Sequence, residues 1–558
     1  VGALEAAQAW LAQDPDDATR SELQALIDSG DSTALEERFS GRLQFGTAGL
    51  RGEIGAGPTR MNRVLVSQAA AGLAAYLLGR AGASSGAEAG SASDNDRPSV
   101  VIGYDGRTNS DLFARDTAEI MTGAGVRAIL LPRRLPTPVL AFAVRLLDAS
   151  AGVMVTASHN PAADNGYKVY LGGPDGGSQI VAPADAAIAA EITRVAAGDI
   201  RDLPRSDDFT IADEGLVDAY VAATAAVASA DAAPLRFVYT AMHGVGFETA
   251  SRVFAAAGLG EAIVVEEQRD PDAAFPTVAF PNPEEPGALD LALAKAETVE
   301  ADLVVANDPD ADRLAIAIPD VAGWRRLSGN EVGALLGWAA ARTLHERGET
   351  GTLAASLVSS PALVDVAETY GLAFQQTLTG FKWISRVPSL AFGYEEALGY
   401  LVNPADVRDK DGISAAVAFL SLVSGLAARG ETILDHMRDF DEQFGAHRSS
   451  QISIRVRDLA RIGELMARLR AAPPEHIGRV RVAHVDDFLD GVDGFDPSDI
   501  LRFRLEHGAR VIVRPSGTEP KLKVYIDASS ATGSVDERRG EAQRIVDDLD
   551  RGMRALLD

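Results

Sequence analysis

Ala151-Gly-Val-Met-Val-Thr-Ala-Ser-His-Asn-Pro161 is an apolar run that ends in hydroxyl, imidazole and amide side chains just before a proline. A short apolar run bounded by turn formers predicts a buried strand over 151–155. Thr156-Ala-Ser-His-Asn-Pro161 then predicts a tight turn at the strand's end, where Ser158 can meet a substrate. Working outward, this strand closes a series of strand 99–102, helix 111–123, strand 128–131 and helix 138–147. Such alternation is the βαβ pattern of a parallel sheet.

The alternation recurs. Strand 235–240, helix 248–257, strand 261–265, helix 289–297 and strand 303–306 make a second α/β block. Helix 331–346, strand 352–357, helix 362–370 and strand 391–394 make a third. The tail differs, with strand 451–456, helix 459–470, strands 500–505, 509–514 and 522–526, and a final helix, which reads as an α+β block. Ahead of the first block lie acidic helices over 4–11 and 19–39, the latter broken at Gly30, then the glycine-rich turn Phe45-Gly-Thr-Ala-Gly-Leu-Arg-Gly52 and a helix over 64–79. Residues 82–97 are rich in Gly, Ala, Ser and Asp without periodicity and read as a surface loop.

Composition bounds what such a chain can do. At roughly 100–200 residues per domain, 558 residues suggest about three to five domains. A formal net charge of -28 disfavours nucleic acid and anionic membranes, and requires any anion site to bring its own positive groups. The absence of cysteine excludes disulfides, thiol catalysis and thiolate metal sites, and fits a reducing compartment. No H-E-x-x-H pattern suggests zinc. No apolar run is expected to reach the ~20 residues of a membrane span, and no basic segment marks a signal peptide over 1–14, so the expected location is cytoplasmic.

Two motifs mislead. Gly82-Ala-Ser-Ser-Gly86 matches G-x-S-x-G but lies in the low-complexity stretch, without a strand-to-helix elbow. His243-Gly-Val-Gly-Phe-Glu-Thr249 resembles a dinucleotide turn but lacks the third glycine, and reads as a plain strand–turn–helix whose backbone amides line a site.

Asn307-Asp-Pro-Asp-Ala-Asp-Arg313 is more telling. Asp308, Asp310 and Asp312 alternate between two apolar strands, so in an extended loop their carboxylates converge. Converging like charges need a cation, and oxygen-only ligands favour Mg²⁺ or Ca²⁺. An EF-hand fails, because Arg313 and Pro319 stand where its glycine and glutamate belong. Three ligands leave room for a metal-bridged phosphate, with Arg313 as an adjacent cation. Arg514-Pro-Ser-Gly-Thr-Glu519 follows strand 511–513, and its guanidinium, hydroxyls and glycine make an oxyanion nest joined by Lys523. Lys168 is a candidate proton shuttle, and Glu395 and Glu396 are acceptors for sugar hydroxyls, one of the two as a supporting residue. A serine hydrolase built on Ser158 and His159 is disfavoured, because adjacent side chains in an extended segment point to opposite faces. A non-catalytic sugar-phosphate sensor would have no use for the aspartate triad.

These motifs, in this order over residues 46–526, resemble the α-D-phosphohexomutase superfamily. Thr156–Pro161 is similar to its phosphoserine loop, Asp308–Arg313 to its metal loop, Glu395-Glu-Ala-Leu-Gly399 to its sugar-selecting loop and Arg514–Thr518 to its phosphate-binding loop. Phe275-Pro-Thr-Val278, Pro281-Asn-Pro-Glu-Glu-Pro286, Thr379-Gly-Phe-Lys-Trp383 and Asp409-Lys-Asp-Gly412 resemble the type-2 phosphoglucomutase and phosphomannomutase branch, which also includes phosphopentomutases. The resemblance implies an α/β fold of four domains around a central cleft, three with a shared mixed α/β sheet topology and one C-terminal α+β domain. It divides the chain at 1–205, 206–320, 321–445 and 446–558. It implies interconversion of sugar 1-phosphate and sugar 6-phosphate, glucose first, with mannose or a pentose as alternatives, through phospho-Ser158 and a bisphosphate intermediate that is also the activator.

By the same resemblance, Mg²⁺ is held by Ser158, Asp308, Asp310 and Asp312. Ser158, Lys168, His159 and Arg51 are catalytic, with Lys168 the first choice for acid/base and His159 the second. Arg313, Thr379, Gly380, Lys382, Glu395, Ala397 and Lys410 meet the sugar or its reacting phosphate. Arg514, Ser516, Gly517, Thr518 and Lys523 hold the distal phosphate. Ala397 departs from the pattern, since many members carry a serine there. The expected partner is a small phosphosugar, with no nucleic acid or membrane, and the chain is expected to be a monomer or weak homodimer.

Overall fold

The computed structural model describes residues 2–46, 49–85, 97–229, 233–456, 460–516 and 521–557. The chain divides into two compact units, Val1–Leu327 with Leu398–Ser421, and Ser328–Ala397 with Leu422–Asp558.

The first unit opens with helices Ala3–Gln13, Asp17–Ser29 and Ser32–Phe39. Asp16 and Asp31 cap the second and third by accepting from the Ala18 and Ala34 amides, and Gly30 ends the second in the left-handed region at φ 67°. The sheet that follows contains β1 (Leu50–Glu53), β2 (Ser99–Tyr104), β3 (Arg127–Leu130), β4 (Ala151–Val155), β5 (Asp164–Leu171), β6 (Ser178–Gln179) and β7 (Thr210–Ile211). Their order is β1-β5-β4-β2-β3-β7, with β6 on β5. The expected parallel pairing holds among β4, β2 and β3. It fails at β5, which runs antiparallel to both β4 and β1. That strand escapes a sequence reading because it begins Asp-Asn-Gly, a turn signature, and carries Lys168 in an otherwise buried run.

The helix expected over 64–79 runs from Arg63 to Ser85. Contrary to expectation, its stretch Arg63–Gly82 is long and apolar enough to cross a membrane, but most of it is buried within the protein. Leu65, Val66, Ala69, Leu73 and Leu77 pack against Phe113, Val153, Ile188 and Ile192, which makes it a core helix of the first sheet. The helix also takes in the start of the stretch expected to be a loop. Residues 86–96, including Gly86 of the G-x-S-x-G match, lie outside the described residues.

The second block forms β8 (Phe237–Thr240), β9 (Ile263–Val264), β10 (Leu303–Asn307), β11 (Leu314–Asp320) and β12 (Gly323–Arg326), ordered β12-β11-β10-β8-β9. Strands β10, β8 and β9 are parallel and β11 is antiparallel to β10. This repeats the β5-β4-β2-β3 arrangement. In open α/β sheets ligands bind beyond the C-terminal ends of the parallel strands. Here those ends carry Asp105–Arg107 after β2, the Ser158 turn after β4, His243–Val245 after β8 and the aspartate loop after β10.

In the second unit, β13 (Thr352–Ser356) lies between the parallel strands β14 (Ala373–Thr377) and β15 (Leu390–Glu395). Strand β16 (Gly399–Leu401) returns to the first unit, where Gly399 bridges to Arg313. The C-terminal block contains β17 (Ala446–Arg455), β18 (His476–Ile477), β19 (Val480–Asp487), β20 (Leu501–Leu505), β21 (Arg510–Pro515) and β22 (Lys521–Ser530), in the antiparallel order β17-β22-β21-β20-β19-β18. Helices Ala460–Ala471 and Val535–Leu557 cover it through Leu465, Leu469, Val546, Leu549 and Met553. Within this unit Leu357 and Val358 pack with Phe488, Ile512 and Tyr525, so the third block and the C-terminal block share a core.

Candidate active site

The peptide at Ser158 adopts φ 51°, a left-handed conformation rare for a side chain other than glycine. The backbone therefore turns back after β4, and the Ser158 side chain is buried at the aspartate loop. Its Oγ donates to Asp308 Oδ2 at 2.7 Å, and its N–H donates to Thr156 Oγ1 at 2.9 Å. The same turn overturns the expectation that His159 faces away from Ser158. His159 Nδ1 lies 3.1 Å from Ser158 Oγ, because alternation of side chains belongs to extended chain and this segment is not extended. Burial, together with Arg313 and Arg51 nearby, holds the His159 imidazole well below its ordinary pKa, so it is neutral.

The aspartate loop closes the β10–β11 hairpin, with Asn307 opposite Leu314. It too is a turn rather than an extended segment, with Ala311 at φ 54° and its N–H donating to the Asp308 carbonyl. The three carboxylates converge all the same, with one oxygen from each within 4.8 Å of the others and all three side chains fully buried. Lys168 Nζ, on β5, donates to Asp310 Oδ2 at 2.7 Å and to Asp312 Oδ2 at 2.8 Å. Lys410 Nζ lies 2.7 Å from the same Asp312 oxygen. Thr137 Oγ1 donates to Asp310 Oδ2, and Asp308 Oδ1 accepts from the Arg313 amide.

Electrostatics separate the three acids. Burial and the two neighbouring carboxylates push Asp308 well above the usual carboxylate range. Burial opposes ionisation of Asp310 and Asp312 as well, but Lys168, joined at Asp312 by Lys410 and Arg313, outweighs it and holds both below that range. Lys168 is correspondingly a firm cation, its burial outweighed by Asp310 and Asp312. Two buried oxygens, Asp310 Oδ1 and Asp312 Oδ1, have no hydrogen-bond partner. Buried acceptors left open beside a third carboxylate and a serine hydroxyl fit a hard divalent cation with oxygen ligands.

Strand β1 brings in Arg51, opposite Gly166 on β5, and its Nη1 reaches Asn160 Oδ1 at 3.3 Å. The glycine-rich turn before it needs Gly49, whose φ is +77° and where a Cβ would stand 1.8 Å from the Tyr167 carbonyl oxygen. The His243 turn buttresses the aspartate loop. The Val245 amide donates to the Pro309 carbonyl at 2.8 Å, and Gly244 packs so closely that a Cβ there would lie 2.3 Å from Pro309 Cα.

Sequence reasoning missed Asp105 and Arg107, in Tyr104-Asp-Gly-Arg107 after β2. Charged residues at the C-terminal end of a parallel strand are the signal that could have found them. It also missed Tyr170, whose hydroxyl donates to Asp409 Oδ2 at 2.7 Å and so anchors the loop carrying Lys410. Lys410, expected to meet the sugar, is paired with Asp312.

The remaining expected residues lie in the second unit. Glu395 Oε1 accepts from the Gly380 amide at 2.8 Å, which ties the end of β15 to the turn after β14 that carries Thr379 and leads into the helix Phe381–Ile384 with Lys382. Glu396 Oε2 accepts from Ser356 and Ser359 at the end of β13, at 3.1 and 3.2 Å. Ala397 follows directly. Arg514 stands opposite Lys523 across β21 and β22, so two cations flank the Ser516 turn, where the Ser516 amide donates to the Lys521 carbonyl. Gly517 and Thr518 lie outside the described residues.

Comparison with known proteins accords with this architecture. Family models for phosphoglucomutase/phosphomannomutase match in series, with alpha/beta/alpha domain I over residues 42–198, domain II over 218–323, domain III over 328–442 and the C-terminal domain over 452–538. A probable phosphomannomutase of Haemophilus influenzae is 55% identical over 498 residues, covering 89% of this chain and 98% of that protein. The mouse phosphopentomutase is 34% identical, covering 94% of this chain and 90% of that one, and a mouse glucose 1,6-bisphosphate synthase is 33% identical, covering 97% and 92%. In fold, a putative phosphomannomutase from Thermus thermophilus superposes with a TM-score of 0.69 at 24% identity, covering 93% of this chain and 99% of that one. With domain models matched from residue 42 to residue 538 and a relative more than half identical, the chain belongs to the phosphoglucomutase/phosphomannomutase family of phosphosugar mutases.

Proposed function

We propose that this mutase interconverts hexose 1-phosphate and hexose 6-phosphate, with glucose as the preferred sugar, Ser158 as the phosphate carrier, Mg²⁺ at the aspartate loop and a hexose 1,6-bisphosphate as intermediate and activator. The observation that supports this most directly is the 2.7 Å hydrogen bond from Ser158 Oγ to Asp308 Oδ2, which joins the acceptor hydroxyl to a convergent acidic triad.

Phospho-Ser158 transfers its phosphoryl group to a free sugar hydroxyl. The Oγ–P bond breaks, a P–O bond to the sugar forms, and the sugar hydroxyl proton passes by way of a basic side chain to the departing Ser158 Oγ; in the second half of the cycle the serine proton passes back to the sugar oxygen that is released. Lys168 and His159 are the two groups for that task. The neutral imidazole beside Ser158 Oγ favours His159, whereas Lys168 serves chiefly as a counter-ion, its ammonium held by two carboxylates. A bound divalent cation supplies charge neutralisation of the transferring phosphoryl group. Arg51 and Arg313 add positive charge on the protein side. In the second unit, Glu395 with Thr379, Gly380, Lys382 and Ala397 reads the sugar, and Arg514, Ser516, Gly517, Thr518 and Lys523 hold the distal phosphate. Their loops follow strand ends or join strands, where such recognition is built.

Mannose is the second reading, because the relative at 55% identity is named a probable phosphomannomutase and Ala397 offers no hydroxyl to the sugar. We further propose a cytoplasmic enzyme, a monomer or weak homodimer, with no nucleic-acid or membrane partner. The test is a substrate panel of glucose, mannose, ribose and deoxyribose 1-phosphates with Mg²⁺ and a bisphosphate activator. Highest kcat/KM on glucose 1-phosphate supports the proposal, and a pentose preference overturns the hexose assignment.

A further inference from the structure

Arg107 is almost fully buried at 3% exposure, and its guanidinium nitrogens Nη1 and Nη2 donate to four backbone carbonyls of the segment 158–164. Nη2 donates to the carbonyls of Ser158 and Asn160, both at 2.6 Å. Nη1 donates to those of Pro161 and Asp164, at 2.8 and 3.0 Å. One planar fork thus collects four carbonyls of the turn that carries Ser158. A second connection enters from the other side. Asp105 Oδ1 accepts from the Arg107 amide and from Ser110 Oγ, and Asp105 Oδ2 accepts from Thr156 Oγ1, which itself accepts the Ser158 N–H. Peptide groups on both sides of Ser158 are therefore held from Asp105 and Arg107, and the left-handed backbone at Ser158 persists only where its surroundings over-determine it.

The clamp is itself seated on the second block. The Arg107 guanidinium lies 5.0 Å over the Phe275 ring. Thr277, two positions on, is 2.8 Å from His243 Nε2. The next residues of that turn, Gly244 and Val245, pack on and hydrogen-bond to Pro309 of the metal loop. One continuous set of contacts thus runs from Arg107 to the aspartate loop within the first unit.

We infer that Arg107, with Asp105 and Thr156, is a positioning device that sets Ser158 Oγ against the metal loop for phosphoryl transfer. It rests on the proposed role of Ser158 as phosphate carrier and goes beyond it, because these three residues act through the backbone of the Ser158 turn. The argument is geometric. Rate depends on near-attack alignment, so a misplacement of about 1 Å costs about 100-fold. Lysine at position 107 keeps the charge but replaces a fork reaching four carbonyls with a single ammonium.

The test is single-turnover phosphorylation of the enzyme. Dephosphorylated protein is mixed with glucose 1,6-bisphosphate and Mg²⁺, and the phosphate on Ser158 is followed by intact mass. In this half-reaction the sugar–phosphate P–O bond breaks, Oγ–P forms and the serine proton leaves with the sugar oxygen. Arg107→Lys is expected to lower this rate and kcat by about 100-fold while KM changes less than about threefold. If Arg107→Lys does not fold, the same assay decides on the Thr156 pair: Thr156→Val loses the rate and Thr156→Ser recovers most of it. A lowered Tm with wild-type phosphorylation rate per folded molecule for Arg107→Lys, or equal rates for the two Thr156 variants, overturns the inference. Absence of phosphate on Ser158 in the wild-type protein overturns the carrier reading itself, and the positioning role falls with it.

Discussion

Ser158 Oγ and Asp308 Oδ2 are joined by a 2.7 Å hydrogen bond between residues 150 positions apart, one at the C-terminal end of β4 and the other at that of β10. The contact brings together two sheets of the same strand order, each offering the end of a parallel strand. It places the Ser158 hydroxyl at the edge of the acidic triad, and the first consequence concerns that triad.

Asp310→Asn removes one of two carboxylates that grip Lys168 and one of the three negative charges offered to a cation, leaving a neutral amide. We expect kcat to fall by at least about 100-fold, the scale of losing one electrostatic partner at a transferring phosphoryl group. Calorimetric titration with Mg²⁺ should show weakened or lost binding. An unchanged magnesium dependence contradicts the assignment of the triad.

His159→Gln and Lys168→Met separate proton transfer from charge compensation. With the neutral imidazole 3.1 Å from Ser158 Oγ, His159→Gln should lower kcat and alter the shape of the pH–rate profile. Lys168→Met should leave the Asp310 and Asp312 carboxylates undercompensated, and so also lower Tm. If Lys168→Met alone changes the profile, Lys168 is the proton carrier.

Gly244→Ala tests the buttress beneath the metal loop. Its Cβ would stand 2.3 Å from Pro309 Cα and carbonyl oxygen, so the loop must shift. Overpacking of this kind costs about 1–3 kcal/mol. We expect a lower Tm together with weaker Mg²⁺ binding, measured by thermal unfolding and titration.

Much of this was legible in the chain, for reasons that differ by element. The aspartate loop declares itself because three carboxylates between apolar runs have few other uses, and Arg514–Thr518 because a glycine-opened basic turn after a strand has a recognisable composition. The β2, β4 and β10 strands follow from their apolar runs. Strand β5 did not, since Asp164-Asn-Gly166 imitates a turn, and with it went the reason Lys168 faces the triad. The contact between Ser158 and His159 was hidden because φ 51° cannot be inferred for a serine from local sequence. Arg107 was hidden because its partners are backbone carbonyls, which leave no signature of side-chain type. The pairing of Lys410 with Asp312 is likewise a product of tertiary packing, set by Tyr170 on Asp409.

Asp411 gives a pH dependence outside the triad. It accepts from the Ile413 and Ser414 amides and from the Tyr220 hydroxyl, and burial raises its pKa to about 6. An acid whose folded pKa lies above its unfolded value of about 3.9 binds more protons when folded, so its contribution to stability falls as pH rises from about 4 to about 6 and is level above that. Asp411→Asn removes this slope. Relative to wild type the variant should gain about 2–3 kcal/mol between pH 4 and pH 6.5, read from urea unfolding. A pH-independent difference contradicts the assignment.

The most direct measurement is the mass of the intact protein after brief exposure to glucose 1,6-bisphosphate and Mg²⁺, compared for wild type and Ser158→Ala. A gain of about 80 Da on wild type, mapped to Ser158 and discharged by glucose 1-phosphate, is the expected result, with no gain and no mutase turnover in Ser158→Ala. Near-normal turnover in Ser158→Ala, or phosphate found on another residue, would contradict the role of Ser158 as the carrier.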